Sequence, residues 1–457
     1  MEGQSRWYFP KILGGTLVLF GPFAVGAVEF NAMTVLGFAV VLSLFAWGLR
    51  ARLRLPAVGN IILLLGSACF TVTVFDLVSR PLLCEALLFR PSGMFESPWP
   101  PMPLVSRYTP NVHYYGRVSG DLVGLTGVRA DREEREERFV TDEYGFRNEL
   151  TYSWRSRPLD VIILGDSMAD GANTTQDAIV SSVLSRDYNV NTYNLSMTGA
   201  QPWHEYVTLA SEIDRLPIKS EGTILAWLIF TGNDLEDPCY PVLEKGQLPW
   251  NGWFRSRMVS YRTFRQRSPV RLLRIYAGVI LGNRIKPNQL ILKRDFLDGK
   301  KLLFLSPYAK ESRIKVEDIL QHHNLSCIKS TMAAMKQLAN QKHLSVAVVL
   351  VPSKEEVYSW VLNGRPHWST TLEPSGFSVV FKSISEQHGF SFLDLRPFLV
   401  EASQRAWEES YQLLWWHDDI HWNARGQKEA ASVIYSQLLS QPGAETVFGK
   451  RGSPTSP

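Results

Sequence analysis

A serine and a histidine, far apart in the chain, each stand where acyl-transfer chemistry would need them. Ser167 lies in Leu159–Gly171, LDVIILGDSMADG, where the apolar run Val161–Leu164 stops at Gly165, Asp166 and Ser167 and passes into a segment able to begin a helix. Such a run reads as a buried parallel strand, and ligands of open α/β sheets gather beyond the carboxyl ends of their strands. A serine opening the next helix also feels that helix's positive end. Ser167 is therefore a candidate nucleophile; the plainer alternative is a helix cap, a common task for a serine after a strand. His421 lies in His417–Gly426, HDDIHWNARG, three residues after Asp418 and just before the last helix. That spacing suits a carboxylate orienting a general-base histidine. His417 and Asp419 compete for the same two roles.

Acyl transfer also needs N–H donors aimed at the developing oxyanion. Two other strand ends offer them: Gly199, whose N–H no side chain obstructs, and Asn233 in TGND, Thr231–Asp234. The backbone N–H of Ser167 would be the third donor. Glycine and asparagine are routine turn residues, so the weight rests on these positions coinciding with Ser167 and His421.

Those side chains need a scaffold that brings strand ends together. Beyond Ser167 the pattern alternates in the α/β manner: strands over Asn189–Leu195, Thr223–Phe230, Leu344–Val351 and Phe390–Leu395, and helices over Trp203–Arg215, Gly376–His388 and Ala424–Leu439. With Val161–Leu164, the economical arrangement is five parallel strands with helices on both faces. Val140–Asn148, VTDEYGFRN, precedes the first of these strands and either lines the site or braces the fold.

GDSMADG, with Ser167 and Gly171, resembles the first block of the SGNH (GDSL-type) hydrolase family. Gly199 is similar to its second block, Gly232 and Asn233 to its third, and Asp418 with His421 to its DxxH block. The resemblance covers about 140–439. It implies a flavodoxin-like three-layer α/β/α sandwich with a parallel sheet, with Ser167 as nucleophile, His421 as base and Asp418 as its orienter. Gly199, Asn233 and the Ser167 amide would form the oxyanion hole, and no metal or organic cofactor is implied. Within the family, TDEYGFRN and VPSKEEVY look similar to the alginate O-acetylation branch, whose members move or remove acetyl groups on exported polysaccharide.

The remainder of the chain suggests where such chemistry would happen. Ile12–Val28, Ala32–Leu49 and Val58–Leu77 are apolar runs near the ~20 residues that span hydrocarbon, and 1–84 reads as three transmembrane helices preceding the α/β domain. Arg6 and Lys11 precede the first, and Arg50, Arg52 and Arg54 follow the second, so the positive-inside rule puts everything after about Arg80 outside the cytoplasm. A cleaved signal peptide is the rival for the first run, but no small-residue cleavage site precedes a polar start. Asp76 falls near the outer end of the third run, as a solvated interface residue would. Residues 85–139 form a Pro-rich spacer and a charged lead-in, in which RADREEREER, Arg129–Arg138, reads as a solvated turn or short helix. Residues 140–440 form the hydrolase-like domain, with a basic insertion at about 250–300, and 441–457 is a disordered tail. Trp250–Arg294 carries eleven Lys or Arg residues and no acid, suiting an active-site cap, anionic headgroups, an acidic polymer or an ordinary basic surface.

Composition sets limits on these readings. With 457 residues, 45% apolar, a sizeable core is affordable; a net charge of +4 without a recognition motif does not argue for nucleic acid. Cys69, Cys84, Cys239 and Cys327 have no metal-ligand spacing, and a Cys239–Cys327 bridge is conceivable in an oxidising compartment. The expectation is a multi-pass membrane protein whose extracytoplasmic domain is a serine esterase or O-acyltransferase for ester, chiefly O-acetyl, groups of a glycan. A cytoplasmic acyl donor would require a separate membrane acyl carrier. The alternatives are a lipase or lysophospholipase and a catalytically idle module that binds polysaccharide or scaffolds an envelope complex.

Overall fold

A computed structural model of the chain describes residues 102–120, 133–149, 157–220, 222–235, 291–295, 301–363 and 372–440, together with 96–99, Thr71, Leu122 and Arg155. The chain divides into two compact units, Met1–Leu88 with Tyr261–Gly278, and Phe89–Ser260 with Val279–Pro457. Apart from Thr71, the described residues belong to the second. The three apolar runs, again apart from Thr71, the basic insertion before Ile291 and the tail 441–457 lie outside the described residues. Among the described residues, no helix is long and apolar enough to cross a membrane.

Two antiparallel ribbons come first: β1 (Glu96–Trp99) with β2 (Met102–Tyr108), and β3 (His113–Val118) with β4 (Arg135–Val140). The central strands then begin with β5 (Val161–Leu164), β6 (Thr192–Asn194) and β7 (Thr223–Phe230). After a third ribbon of β8 (Ile291–Asp295) and β9 (Lys301–Leu305), β10 (Leu344–Val351) and β11 (Ser391–Asp394) complete the sheet. Its order is β11-β10-β7-β5-β6, with all neighbours parallel. Counted along the chain this is 2-1-3-4-5, so the direction of winding reverses beside β5. Loops on either side of that reversal diverge and leave a crevice at the strands' carboxyl ends. Ser167 follows β5 and stands there.

The longer helices are α1 (Val180–Asp187), α2 (Pro202–Glu212), α3 (Leu325–Lys342), α4 (Gly376–Gln387), α5 (Arg396–Ser410) and α6 (Ala424–Ile434). Successive strand residues point to opposite faces, and here both faces are covered. Ile162, Trp227 and Val348 enter one core, with Leu209 of α2, Met332 of α3 and Phe381 of α4. Ile163, Leu228 and Val349 enter the other, with Val183 of α1, Leu399 of α5 and Ala431 of α6. The result is the expected parallel sheet between two helical layers. It also explains why β7 and β10 are almost continuously apolar.

The segment before the sheet departs from expectation. The Pro-rich stretch holds the β1–β2 ribbon, and Tyr108 at its end is wholly buried in the core. That end is docked on the domain and is not spacer. RADREEREER is not a solvated turn or short helix throughout: its last residues, Arg135–Arg138, open β4. Strand alternation buries Arg135, Glu137 and Phe139 together, and the two inward charges find partners in the domain. A run of charges looked solvated because its pairing partners lie far along the chain.

Candidate active site

The Ser167 turn leaves the serine hydroxyl out of the helix cap. Asp166, not Ser167, caps the single helical turn Ser167–Asp170: its Oδ1 accepts from the Met168 N–H at 2.8 Å. The turn ends at Gly171 with φ +80°, and a Cβ there would also lie 2.3 Å from Ile179 Cγ2. Only glycine meets both demands. Ser167 Oγ is thereby left to His421, whose Nε2 stands 2.9 Å away.

On the other side of the imidazole, His421 Nδ1 is 2.8 Å from Asp419 Oδ1. An ionised carboxylate only accepts, so Nδ1 carries the proton and Nε2 accepts from the Ser167 hydroxyl. Asp419, His421 and Ser167 are 0%, 1% and 9% exposed, so of the three the serine is the most exposed. Asp419 Oδ1 also accepts from the Ile420 N–H at 2.7 Å, while Oδ2 accepts from Asn173 Nδ2 at 2.6 Å and Arg135 Nη2 at 2.5 Å.

Asp418, the expected orienter, does not face His421. Its Oδ2 accepts from the Gly120 N–H at 3.0 Å and the Glu133 N–H at 2.9 Å, and its Oδ1 from Arg135 Nη1 at 3.0 Å. The cause is the loop's shape: the Asp419 N–H bonds back to the Trp416 carbonyl at 3.4 Å, a tight turn that puts His417 and Asp418 at its corner. A helical turn would align residues three apart. Here the backbone beyond the corner aligns Asp419 and His421, two apart. Asp418 instead fastens both ends of the β3–β4 connection to this loop. His417 turns the same way, its Nδ1 2.6 Å from Glu133 Oε2. Burial would raise the Glu133 carboxyl, but His417's hydrogen bonds and charge, with Arg135, hold it below its ordinary value.

Three consecutive side chains on the helical turn Lys354–Val357, after β10, secure the surrounding loops. Lys354 Nζ donates to the carbonyls of Trp416, His417 and Asp419 at 2.7, 3.0 and 3.0 Å. Burial pushes its ammonium down to about 8, opposed by Glu355, Asp418, Asp419 and Glu133. Glu355 Oε1 accepts from the Leu305 N–H at 2.6 Å, tying in β9, and burial pushes its carboxyl up to about 7. Glu356 accepts from the Thr231 hydroxyl, anchoring the start of TGND.

VTDEYGFRN braces the fold. Arg147, wholly buried, donates to the Gly171 carbonyl at 2.7 Å and to Gln176 Oε1 at 3.0 Å. Asp142 takes the Tyr193 hydroxyl at 2.6 Å, and Asn148 bonds to both backbone groups of Asn194. Thr198, next to Gly199, donates to Asp170 Oδ2 at 3.1 Å and receives the Tyr108 hydroxyl at 3.0 Å. Burial pushes Asp170 up to about 6, against the charge of Arg147 and hydrogen bonds from Tyr108 and Thr198. A carboxyl with a higher pKa folded than unfolded stabilises fully at low pH, and that contribution fades as pH rises through its folded value. Asp170→Asn should therefore raise the unfolding midpoint relative to the parent protein more at pH 7 than at pH 4. Equal changes at both would contradict this.

Gly199 and Asn233 follow β6 and β7, the strands that flank β5. Gly199 has φ +74°, with open space where a Cβ would stand, so conformation and not crowding calls for glycine. Asn233 is half-buried in the turn Thr231–Leu235, and its Oδ1 has no hydrogen-bond partner among the described residues. If Asn233 serves the oxyanion, Asn233→Ala should lower ester turnover by about 10² to 10³-fold in a folded protein. An unchanged rate would remove that role.

Among the described residues there is no group of His, Cys, Asp and Glu suited to hold a metal ion. The structure thus joins Ser167 with His421, exchanges Asp418 for Asp419, and adds Arg135, Asn173, Glu133 and Lys354, which the sequence reading missed. Comparison with models of known protein families and with curated proteins gives no match.

Proposed function

We propose that this protein is a serine esterase or O-acyltransferase of the SGNH (GDSL-type) kind, anchored in a membrane and acting on ester groups, foremost O-acetyl, of an extracytoplasmic glycan. The observation that carries the chemical part is the buried relay Asp419–His421–Ser167, with its contacts of 2.8 and 2.9 Å. A flavodoxin-like arrangement agrees with the strand order 2-1-3-4-5 and with a nucleophile at the winding reversal.

Ser167 Oγ attacks the acyl carbonyl as His421 Nε2 takes its proton; Asp419 stabilises the imidazolium. The oxyanion is held by the Ser167 amide, Gly199 and Asn233. Collapse of the tetrahedral species breaks the ester's C–O bond, and His421 returns the proton to the departing alcohol. Water or a sugar hydroxyl then attacks the acyl-Ser167, with His421 again as base. The residues bearing on this sequence are the protein's own.

Location rests on separate observations. The three apolar runs and their flanking arginines support an anchor whose third helix exits outward. Cys327 is disulfide-bonded, and such bonds persist in oxidising compartments. Cys239, its expected partner, lies outside the described residues.

The reading is tested with detergent-solubilised full-length protein, an activated acetyl ester and increasing concentrations of an acetyl-free oligosaccharide. A transferase yields acetylated sugar at the expense of free acetate, whereas an esterase yields free acetate throughout. Folded protein that releases no acetate and acetylates no sugar would contradict both.

A further inference from the structure

We propose that Arg135 is a positioning residue which divides the labour of Asp418 and Asp419, holding Asp419 toward His421 and Asp418 toward the β3–β4 connection. The proposal rests on the serine-hydrolase reading above. Arg135 reaches the site from β4, outside the central sheet, and its side chain is only 5% exposed. Its two terminal nitrogens take one carboxylate each: Nη1 is 3.0 Å from Asp418 Oδ1, and Nη2 is 2.5 Å from Asp419 Oδ2. With Asn173, it occupies the Asp419 oxygen that His421 does not use.

Two carboxylates on consecutive buried residues repel one another, and a nearby cation offsets that repulsion. Among the described residues, other charged groups also lie near them. Lys354 lies beneath the loop but spends its three N–H groups on backbone carbonyls. Glu133 and His417 pair with each other at the corner of the turn. Arg135 contacts both carboxylates with one flat group, and its guanidinium stacks on Trp416, 4.3 Å from the ring centroid. A planar fork can bridge two acceptors and stack on an indole together; an ammonium can do neither as well.

The roles thus follow from geometry. With Oδ2 held, the Asp419 carboxylate cannot rotate away, and Oδ1 faces His421 Nδ1. Removing the guanidinium would loosen that orientation and leave more negative charge beside the imidazole, which then keeps a proton to higher pH.

The test uses full-length protein with Arg135→Gln and Arg135→Lys, each checked for folding by near-ultraviolet circular dichroism. Arg135→Gln should lower kcat by about 10²-fold with little change in KM, the scale of loss when a catalytic group is misplaced by about an ångström. The acid limb of its kcat/KM profile should move up by about one pH unit. Arg135→Lys should return the limb toward its original position by restoring charge, yet keep a kcat loss of about tenfold because the fork is gone. A folded variant with the parent kcat and pH profile would overturn the proposal. If Arg135→Gln does not fold, Arg135→Lys decides alone, and parent-like kcat in it would overturn the proposal.

A readout without substrate separates this proposal from the hydrolase reading. Proton NMR of histidine-labelled protein follows the His421 Nδ1 proton through its titration. That titration should move to higher pH in Arg135→Gln whether or not any ester is turned over. An unmoved titration contradicts the role of Arg135; a moved one in a protein inert toward esters upholds the coupling and sinks the hydrolase reading.

Discussion

Ser167→Ala should lower the turnover of an activated acetyl ester by about 10⁴-fold or more, with folding and stability nearly unchanged. The hydroxyl contributes no helix cap, because Asp166 takes the Met168 N–H. Among the described residues it pairs with His421 Nε2. Losing the oxygen therefore removes the nucleophile and leaves the scaffold intact. The residual rate would reflect binding and oxyanion stabilisation alone. Turnover within about tenfold of the parent would remove the nucleophile assignment, since triads lose orders of magnitude when the serine goes.

The second large effect separates two neighbouring aspartates. Asp419→Asn should cost about 10⁴-fold in kcat, because an amide can place its NH₂ against Nδ1 and favour the wrong imidazole tautomer. Asp418→Asn should retain activity within about tenfold while lowering stability by about 1–3 kcal/mol, the scale for weakening a buried hydrogen-bonded group. The contrast is informative because both side chains are wholly buried and both touch Arg135. Only Asp419 touches His421. Steady-state kinetics with matched urea unfolding curves reads both quantities. A reversed order, with Asp418→Asn the more damaging to kcat, would return the DxxH spacing to the catalytic role.

That contrast also shows how far the amino-acid sequence could be read. Ser167 stood out because a four-residue apolar strand, Val161–Leu164, ends on three small polar residues. The central strands were legible for the same reason: with both faces buried, they are continuous apolar runs bounded by turn residues. His421 was legible through its nearness to a closing helix that Asn423 caps. Choosing between Asp418 and Asp419 required the conformation of four residues, and a tight turn cannot be told from a helical one by spacing alone. Arg135 was hidden differently. Its surroundings, RADREEREER, have the composition of a solvated face, and its partners lie over 280 positions away. Lys354, Glu355 and Glu356 present the same difficulty: three successive charges suggest exposure, yet each is buried and paired. Local composition carries hydrophobic burial faithfully and carries buried charge poorly, because the compensating charge is supplied by the fold.

The ribbons outside the sheet share that origin. Four of the six residues of β4 are charged, and besides its pairing with β3 the strand is tied to the domain by the reach of Arg135 and Glu137. Because β4 carries Arg135 to the candidate site, truncation at Val140 should abolish the proposed turnover of an activated acetyl ester, and turnover kept by a folded truncated protein would contradict this.

The relay's central claim is that Ser167 carries an acyl group. The measurement that addresses it most directly is mass spectrometry of the full-length protein, solubilised in detergent and quenched after brief exposure to an activated acetyl ester, with Ser167→Ala alongside. The account predicts one added acetyl group, located on the peptide containing Ser167, absent from the variant and lost on further incubation. Folded protein that hydrolyses the ester with no acetyl on that peptide, or that acquires it equally in Ser167→Ala, would contradict it.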